Sequence, residues 1–384
     1  MKYIRGKIIR MSTVGMSLDI FCRGLLRELS SEGYDVVALS SPDQPLEDLG
    51  RREGVRTVGV EMKRDISLFH DLRSLLRLIV VLRRERPQML HTMTPKAGLL
   101  GMLAARIAGI PVRVHTFTGL LFPTATGLRK SILKLTDRIT CLCATHILPE
   151  GEGVAADLRN ARITRKPLRI LGNGNVRGVD LDHYTPGPEL TARGKEIRKK
   201  LGIPESSFTF VFAGRFVADK GLPQLIEAFK GISGHDCRLV LVGDTEGSSP
   251  ALTRESLASV PGIHLSDGWV DDMRPWMSMA DALVFPSLHE GFPNVVLEAG
   301  AMCLPSIVTD INGSREIIDS PQLGFVVPPA TVVPLREAMV TMMSLSSAER
   351  ARMGKAARDN IAAKYSAPFV RACLKNFYST VLNT

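Results

Sequence analysis

Two carboxylates lie eight residues apart in a stretch of the chain that also carries a glycine and a proline. The stretch is Ser-Leu-His-Glu-Gly-Phe-Pro-Asn-Val-Val-Leu-Glu, residues 287–298. Residues 281–285 are typical of a short apolar strand, and residues 295–302 of a helix rich in small residues. Free N–H groups at such a helix start favour a phosphate. The carboxylate of Glu298 suits a ribose diol, although a single glutamate is more often a helix cap or a solvated surface group.

Two cations follow a second predicted strand. This strand ends at Gly214, and Arg215 and Lys220 lie in the loop before the next helix. A bidentate guanidinium and a mobile ammonium suit the two phosphates of a nucleoside diphosphate. Fixed cations also stabilise the charge that develops on departing phosphate oxygens. Either residue, taken alone, is more often an ordinary surface residue.

Together these strings resemble the retaining glycosyltransferases of family 4, which have the GT-B fold. Residues 286–299 resemble the E-x7-E signature of that family, with Glu290 and Glu298 as its two glutamates, and residues 214–221 resemble its G-R…K-G donor-phosphate motif. Weaker matches extend over nearly the whole chain. Further matching positions are Pro305, Ile307, Val308, Gly313, Glu316, Ile317, Ile318 and Gly324.

The resemblance implies a role for each residue of these motifs. Arg215 and Lys220 hold the donor diphosphate, Glu298 holds the ribose, and Glu290 lies beside the donor sugar. The expected catalytic residues are Glu290, Arg215 and Lys220. The expected donor-binding residues also include Gly291, Phe292, Pro293, Asn294, Val295 and, from the first half, Gly15. No enzyme nucleophile is evident, so we expect front-face attack, with the departing phosphate oxygen taking the acceptor's proton as proposed for this family.

The first half of the chain departs from the family pattern. Many members have two glycines after the first strand, whereas residues 12–17 contain Gly15 alone. Members often carry a histidine before a glycine where this chain has Thr118 before Gly119, and a second histidine where it has Met93. His115 is therefore either a site group or a buried strand residue. The candidates for the acceptor or donor-sugar side are His115, Thr118, His91 and Lys96.

The order of predicted elements indicates two α/β halves. Strands are predicted at residues 7–11, 35–39, 88–91, 112–117, 208–213, 238–243, 264–265 and 281–285, and helices at 18–29, 68–86, 222–230 and 367–382. Thr94 is expected to cap a helix that begins at Pro95. Such alternation favours parallel, doubly wound sheets, and the resemblance implies two Rossmann-like domains facing across a cleft. We predict an acceptor-binding domain (1–182), a linker (183–207), a donor-binding domain (208–366), and a C-terminal helix (367–384) that crosses back to the first domain.

Positive charge is concentrated in the first half. Residues 1–180 hold 29 Lys and Arg against 17 Asp and Glu, whereas residues 181–384 hold 20 against 22. Nucleic acid and an anionic membrane surface are two general explanations, and we expect the membrane rather than nucleic acid. The predicted helix at 68–86 has an apolar stripe flanked by arginines, as membrane-surface helices do, although a core-packed helix with a solvated basic face has the same pattern. The expected stripe is Leu72, Leu75, Leu76, Ile79 and Leu82, flanked by Arg73, Arg77, Arg83, Arg84 and Arg86.

Cysteine, metal and targeting patterns indicate a cytoplasmic protein without a cofactor. The six cysteines have irregular spacing, which favours free thiols in a reducing compartment. No signal peptide is evident in residues 1–9, so we expect a cytoplasmic location, with peripheral binding at the inner face of the plasma membrane. Asp180-Leu181-Asp182 matches a metal-binding Asp-x-Asp, but it lies at the linker entrance, and we expect no metal requirement.

The resemblance, together with these patterns, implies a metal-independent, retaining glycosyltransferase of the GT-B fold. The donor is expected to be a nucleoside diphosphate sugar, most simply a UDP-sugar carrying a hexose or N-acetylhexosamine. The resemblance extends to bacterial transferases of surface-polysaccharide and glycan assembly, and it implies that the acceptor is a glycan linked to polyprenyl diphosphate. Two alternatives remain open. A nucleotide-sugar epimerase of the same fold needs acid/base carboxylates in the first domain that we cannot assign, and a non-enzymatic basic binding module does not explain Glu290, Glu298, Arg215 and Lys220 together.

Overall fold

The computed structural model describes residues 5–63, 67–232, 236–246 and 249–383. Residues 1–4, part of the segment in which we predict no signal peptide, lie outside that range. The chain divides into two compact units: unit 1 is Met1–Gly178 with Pro368–Thr384, and unit 2 is Val179–Ala367.

Unit 1 contains a parallel six-stranded sheet. Its strands are β1 (Gly6–Met11), β2 (Tyr34–Ser40), β3 (Arg56–Gly59), β4 (Met89–Met93), β5 (Val112–Phe117) and β6 (His146–Pro149), in the order β3-β2-β1-β4-β5-β6. Its helices up to residue 160 are α1 (Gly15–Cys22), α2 (Leu25–Ser31), α3 (Gln44–Glu53), α4 (Leu68–Glu85), α5 (Pro95–Ile107), α6 (Gly127–Cys143) and α7 (Glu152–Asn160). Apolar side chains cover both faces of the sheet, as buried parallel strands require.

Unit 2 contains a second parallel six-stranded sheet, which has the same topology as that of unit 1 when its strands are read from the opposite edge. Its strands are β7 (Phe208–Ala213), β8 (Cys237–Val242), β9 (Ile263–Leu265), β10 (Ala282–Phe285), β11 (Ser306–Thr309) and β12 (Gly324–Val327), in the order β12-β11-β10-β7-β8-β9. Its helices are α8 (Pro188–Lys200), α9 (Leu222–Lys230), α10 (Arg254–Ala258), α11 (Arg274–Ser278), α12 (Asn294–Ala301), α13 (Ser314–Ile317), α14 (Val333–Ser344) and α15 (Ser347–Tyr365). The prediction of two doubly wound α/β sheets is therefore confirmed.

The C-terminal helix α16 (Ala367–Leu382) is part of unit 1 from Pro368 onward. Leu374, Phe377 and Tyr378 are buried in one core cluster with Leu18 and Leu26. The last helix thus completes the face of the unit 1 sheet that α1 and α2 also cover.

Two local predictions in unit 1 differ from the structure. The helix predicted at 18–29 is two helices, because Gly24 has a φ of +76° and interrupts the α-helical backbone. Pro95 does begin α5, but the hydroxyl of Thr94 does not cap it. Instead Thr94 has a φ of 71°, and its Oγ1 accepts a hydrogen bond from the backbone N–H of Thr13 at 3.1 Å.

The predicted linker, residues 183–207, contains helix α8. Leu190 and Gly194 are its buried residues, and α8 packs against α11 within unit 2. In the sequence, the many charged residues of α8 look like those of a solvent-exposed linker, because few of its residues are buried.

Only part of the predicted apolar stripe of helix α4, including Leu75, Ile79 and Leu82, packs on the core. Its buried residues are Ser74, Leu78 and Leu82, whereas the side chains of Leu72 and Leu76 are 56% and 57% exposed. The helix therefore has apolar residues on two sides, and the sequence alone does not tell which side faces the core. No helix in the described part of the chain is long and apolar enough to cross a bilayer.

Candidate active site

The two chemical motifs of unit 2 meet at the point where its strand order reverses. Strand β7 lies between β8, which follows it in sequence, and β10, which comes after two further crossovers. The loops after β7 and β10 thus leave the carboxyl edge of the sheet side by side. In open α/β sheets this switch point is where ligands bind.

Direct contacts join these two loops. The backbone N–H of Leu288 donates to the carbonyl of Asp219 at 2.8 Å, and Ser287 Oγ lies 3.3 Å from the same carbonyl oxygen. Gly221 has a φ of +71°, and a Cβ at this position would lie 1.9 Å from the carbonyl oxygen of Pro286. Glycine is therefore required at residue 221 for the loops to approach this closely.

Lys220 and Glu290 form an ion pair across the two loops. Lys220 Nζ donates to Glu290 Oε1 at 2.5 Å, and Ser287 Oγ donates to the same oxygen at 2.8 Å. The side chains of Lys220 and Glu290 are only 15% and 17% exposed. A paired and largely buried carboxylate has little rotational freedom, so Glu290 is held in a defined orientation. Sequence reasoning did not identify Ser287 as its second partner.

Arg215 lies nearer the surface of the same site. Its Nη1 donates to Glu246 Oε2 at 2.7 Å, and Asp219 Oδ2 lies 3.8 Å from its Nη2. Hydrogen bonding to Glu246, followed by the charges of Glu246 and Asp219, raises the pKa of Arg215 above its ordinary value despite partial burial. The guanidinium is 44% exposed, so a dissolved anion can reach it.

Helix α12 starts at the end of the second loop. Pro293 is at its N-cap, no side chain caps the helix, and its first turn contains no acidic residue. This arrangement favours an anion at the helix start. Glu298 lies one turn further on and is 9% exposed, so its carboxylate is shielded from bulk water. The donor residues expected between Gly291 and Val295 lie in this loop and the first turn.

The candidates in unit 1 lie in different surroundings. The backbone N–H of Gly15 donates to Asp43 Oδ2 at 2.9 Å, which puts a carboxylate beside an amide we expected to meet the donor. Lys96 Nζ is paired with Asp71 Oδ1 at 2.7 Å. His115 and Thr118 line a common pocket at the end of β5.

His91 is enclosed within unit 1. Its Nδ1 lies 2.5 Å from Arg10 Nη1 and 2.6 Å from the hydroxyl of Tyr378, and its Nε2 lies 2.7 Å from Thr116 Oγ1. Burial and the charge of Arg10 lower the pKa of His91 well below its ordinary value. Both ring nitrogens thus have protein partners, which indicates a structural role.

The Asp180-Leu181-Asp182 segment forms a turn. One oxygen of Asp180 accepts the backbone N–H groups of Asp182 and His183, both at 3.1 Å. Among the described residues, no cluster of three or more His, Cys, Asp or Glu has an arrangement that could hold a metal ion.

Comparison with known proteins identifies the class. Residues 207–344 match the family described as "Glycosyl transferases group 1", and residues 19–174 match the "Glycosyl transferase 4-like domain". The crystal structure of a glycosyltransferase from Rickettsia africae ESF-5 is similar with a TM-score of 0.80 at 19% identity, over 99% of this chain and 99% of that chain. A likeness at that identity shows the fold, which is GT-B as predicted.

Two curated relatives place the chain in its family. It is 29% identical over 381 residues to "Capsular polysaccharide biosynthesis glycosyltransferase CapM" of Staphylococcus aureus, covering 98% of this chain and 97% of the relative. It is 30% identical over 309 residues to "UDP-Gal:alpha-D-GlcNAc-diphosphoundecaprenol alpha-1,3-galactosyltransferase" of Escherichia coli, covering 78% and 77%. The protein is a glycosyltransferase and belongs to the group 1 family.

Proposed function

We propose that this enzyme transfers a sugar from a UDP-sugar, with retention of configuration and without a metal ion, to a polyprenyl-diphosphate-linked glycan in bacterial surface polysaccharide biosynthesis. The observation that carries the proposal is the Lys220–Glu290 pair, which brings a cation and a carboxylate together at the switch point of unit 2. The E. coli relative, whose printed name contains a UDP-sugar donor and a diphosphoundecaprenol acceptor, supports the choice of donor and acceptor class.

Arg215 and Lys220 are assigned to the donor diphosphate. The carboxylates of Glu246 and Asp219 balance the charge of Arg215, and a diphosphate can replace them because it accepts a bidentate pair of hydrogen bonds and carries more negative charge. As the bond from sugar to phosphate breaks, charge accumulates on the departing oxygens. Two fixed cations stabilise that charge more in the transition state than in the ground state.

Glu290 is assigned to the reacting sugar. The anomeric carbon gains positive charge as the phosphate leaves, and a carboxylate held by Lys220 and Ser287 stabilises such charge without reorganising. The leaving phosphate oxygen takes the acceptor's proton while the acceptor oxygen attacks from the same face. Glu298 is assigned to the ribose, where its contribution is to donor affinity.

Metal independence is proposed on the basis of the same arrangement. Two protein cations supply the charge that a divalent ion supplies in other transferases, and Asp180 is engaged by two backbone amides. The enzyme is therefore proposed to need no metal cofactor.

A peripheral membrane location is proposed from two helices of unit 1. Exposed apolar side chains on α4 alternate with exposed arginines, and those on α6 do the same. Both helices pack against α5, so they lie on one face of the sheet. The exposed apolar residues are Leu68, Phe69, Leu72, Leu76 and Val80 on α4, and Leu128, Ile132, Leu135 and Leu142 on α6. Such a surface fits the interface of an anionic bilayer, at the inner face of the plasma membrane for a cytoplasmic enzyme.

The test of the proposed function is a thermal-shift screen of the full-length protein against nucleoside diphosphate sugars. A ligand that binds only the folded state raises the unfolding temperature with its occupancy. We expect UDP-sugars to shift the protein and Lys220→Ala to lose most of that shift, with Lys230→Ala on the exposed end of α9 as the matched control. Equal shifts in wild type and Lys220→Ala would remove the diphosphate assignment, and a preference for another nucleotide would correct the donor.

A further inference from the structure

Arg10 carries a positive charge into the core of unit 1. It lies on β1 and is only 2% exposed. A guanidinium group keeps its proton in proteins, so burial does not neutralise it. Within the described part of the chain Arg10 forms no ion pair, and its side-chain contacts are His91, Tyr378, Cys22 and Met93.

The groups that contact Arg10 do not balance its charge. Its Nη1 lies 2.5 Å from His91 Nδ1 and 2.5 Å from the Tyr378 hydroxyl, and its Nη2 lies 3.4 Å from Cys22 Sγ. Burial raises the pKa of Tyr378 to about 12 and raises the pKa of the Cys22 thiol. Because burial also lowers the pKa of His91, all three groups are uncharged near pH 7.

The carboxylates closest to this cluster already have a basic partner. Glu53 and Asp19 act electrostatically on Cys22, but both pair with Arg52. A buried charge that lacks a counter-ion costs several kcal/mol. The charge of Arg10 therefore favours an additional anion from solution.

A small cavity adjoins Arg10 and lies wholly within unit 1. His91, Thr116 and Asn175 supply the rest of its polar lining, and Leu374 of α16 is part of its apolar lining. No acidic side chain lines it among the residues that the structure describes. Its free space is about 20 Å³, which suits one or two particles of the size of water and excludes a sugar ring.

Two hydrogen-bond donors of the cavity lining have no acceptor in the described chain. The Nε–H of Arg10 is buried and has no partner. The neutral ring of His91 accepts at Nδ1, so its Nε2–H donates to Thr116 Oγ1 at 2.7 Å. The hydroxyl proton of Thr116 is then left to donate elsewhere. A positive charge, two such donors and space for one small particle are the features of a monatomic anion site.

We propose that this cavity binds a monatomic, monovalent anion such as chloride, which serves as the counter-ion of Arg10. The Nε–H of Arg10 and the hydroxyl of Thr116 donate to it. The ion stabilises the attachment of α16 to the sheet, because Leu374 and Tyr378 of this helix lie beside the charge that it balances. The proposal does not depend on the proposed function.

The test is thermal unfolding of the full-length protein in sodium chloride and in sodium methanesulfonate, a larger anion, at equal ionic strength. A ligand that binds only the folded state raises the unfolding temperature with its occupancy. We expect a saturable rise in chloride, by about 5–10 °C at one hundred times Kd. Bromide should replace chloride, and amide hydrogen exchange in α16 should be slower in either halide than in methanesulfonate.

Variants assign the effect to this cavity. Arg10→Met removes the charge and should unfold at the same temperature in both salts. Arg352→Met, at an exposed position of α15, is the matched control and should keep the chloride response of the wild type. Should Arg10→Met not fold, Thr116→Val removes one donor and should weaken chloride binding by about tenfold.

Anomalous diffraction from wild-type crystals grown in bromide locates the ion directly, and we expect a peak in the cavity beside Arg10. An unfolding temperature that is equal in chloride and methanesulfonate would show that water fills the cavity and would overturn the proposal. A cavity without a bromide peak would overturn it as well. A chloride response that Arg10→Met or Thr116→Val leaves unchanged would also overturn it, because the ion would then bind elsewhere.

Discussion

We predict that the free energy of unfolding depends on the protonation of Asp137, a residue of α6 that is 9% exposed. Burial raises its pKa from 3.8 to about 7. Between those pH values the folded protein keeps a proton that the unfolded chain has released. Wild-type stability therefore falls as pH rises from about 4 to about 7, and it stays reduced above that. Asp137→Asn removes this ionisation, so the variant should be more stable than wild type at pH 8.

The magnitude follows from the shift. Three pKa units at 1.36 kcal/mol each correspond to about 4 kcal/mol as an upper limit. The protonated carboxyl and the asparagine amide are both buried without a partner at a similar cost, so these costs cancel, and relaxation around the ionised carboxylate reduces the upper limit. A net gain of about 1–3 kcal/mol is therefore expected at pH 8, and each kcal/mol corresponds to about 2–4 °C in a unit of this size.

The assay is thermal unfolding of both full-length proteins at pH 8 and close to pH 4. The advantage of Asp137→Asn should be present at pH 8 and small near pH 4, where Asp137 is protonated in the folded state and partly protonated in the unfolded chain. Asp48→Asn is the control: Gln44 and Arg51 lower the pKa of the exposed Asp48, so its removal should stabilise at neither pH. A variant that is less stable than wild type at pH 8, or equally improved at both pH values, would refute the reasoning.

Three further predictions concern catalysis and membrane binding. Glu290→Gln should lower kcat more than it raises the donor KM, because Glu290 acts on charge that develops in the transition state. Glu298→Gln should mainly raise the donor KM, since the ribose diol is the same in the ground state and the transition state. Steady-state kinetics with one donor tests both, and an effect of Glu290→Gln on KM alone would make Glu290 a binding residue. Transfer should continue at close to the full rate in EDTA, and complete loss that manganese restores would establish a metal requirement. Replacing Arg83, Arg84 and Arg86 by Gln should weaken binding to anionic vesicles, measured by co-sedimentation, by about 1 kcal/mol per residue. The same change at Lys195, Lys199 and Lys200 of α8 should not weaken it. If the wild-type protein does not bind vesicles at low salt, the proposed membrane-binding surface is wrong.

The donor motifs could be predicted from sequence because each is local. A strand, a short loop and a helix are contiguous in the chain, and the spacing of Glu290 and Glu298 places them on either side of a helix start. The contact between Lys220 and Glu290 could not be predicted from spacing alone. It joins residues 70 positions apart and exists because β10 pairs with β7.

Unit 1 shows why other features were missed. Asp137 lies inside an amphipathic helix among polar and charged neighbours, so its sequence context does not distinguish a buried carboxyl from a solvated one. Similarly, α4 has apolar residues on both sides, and only the packing of Leu78 and Leu82 tells which side is the core. Thr94 matches a helix-cap pattern, but its hydroxyl contacts the loop after β1, which no local pattern encodes.

The most direct test of the central claim is the rate of sugar transfer by Lys220→Ala. Lys220 is paired with Glu290 at the junction of the two donor loops, and loss of one preorganised charge stabiliser costs roughly 10²-fold or more in turnover. The account predicts that kcat with a UDP-sugar donor falls by about that factor while the variant remains folded. Wild-type turnover by Lys220→Ala would contradict the assignment of the unit 2 switch point as the site of transfer.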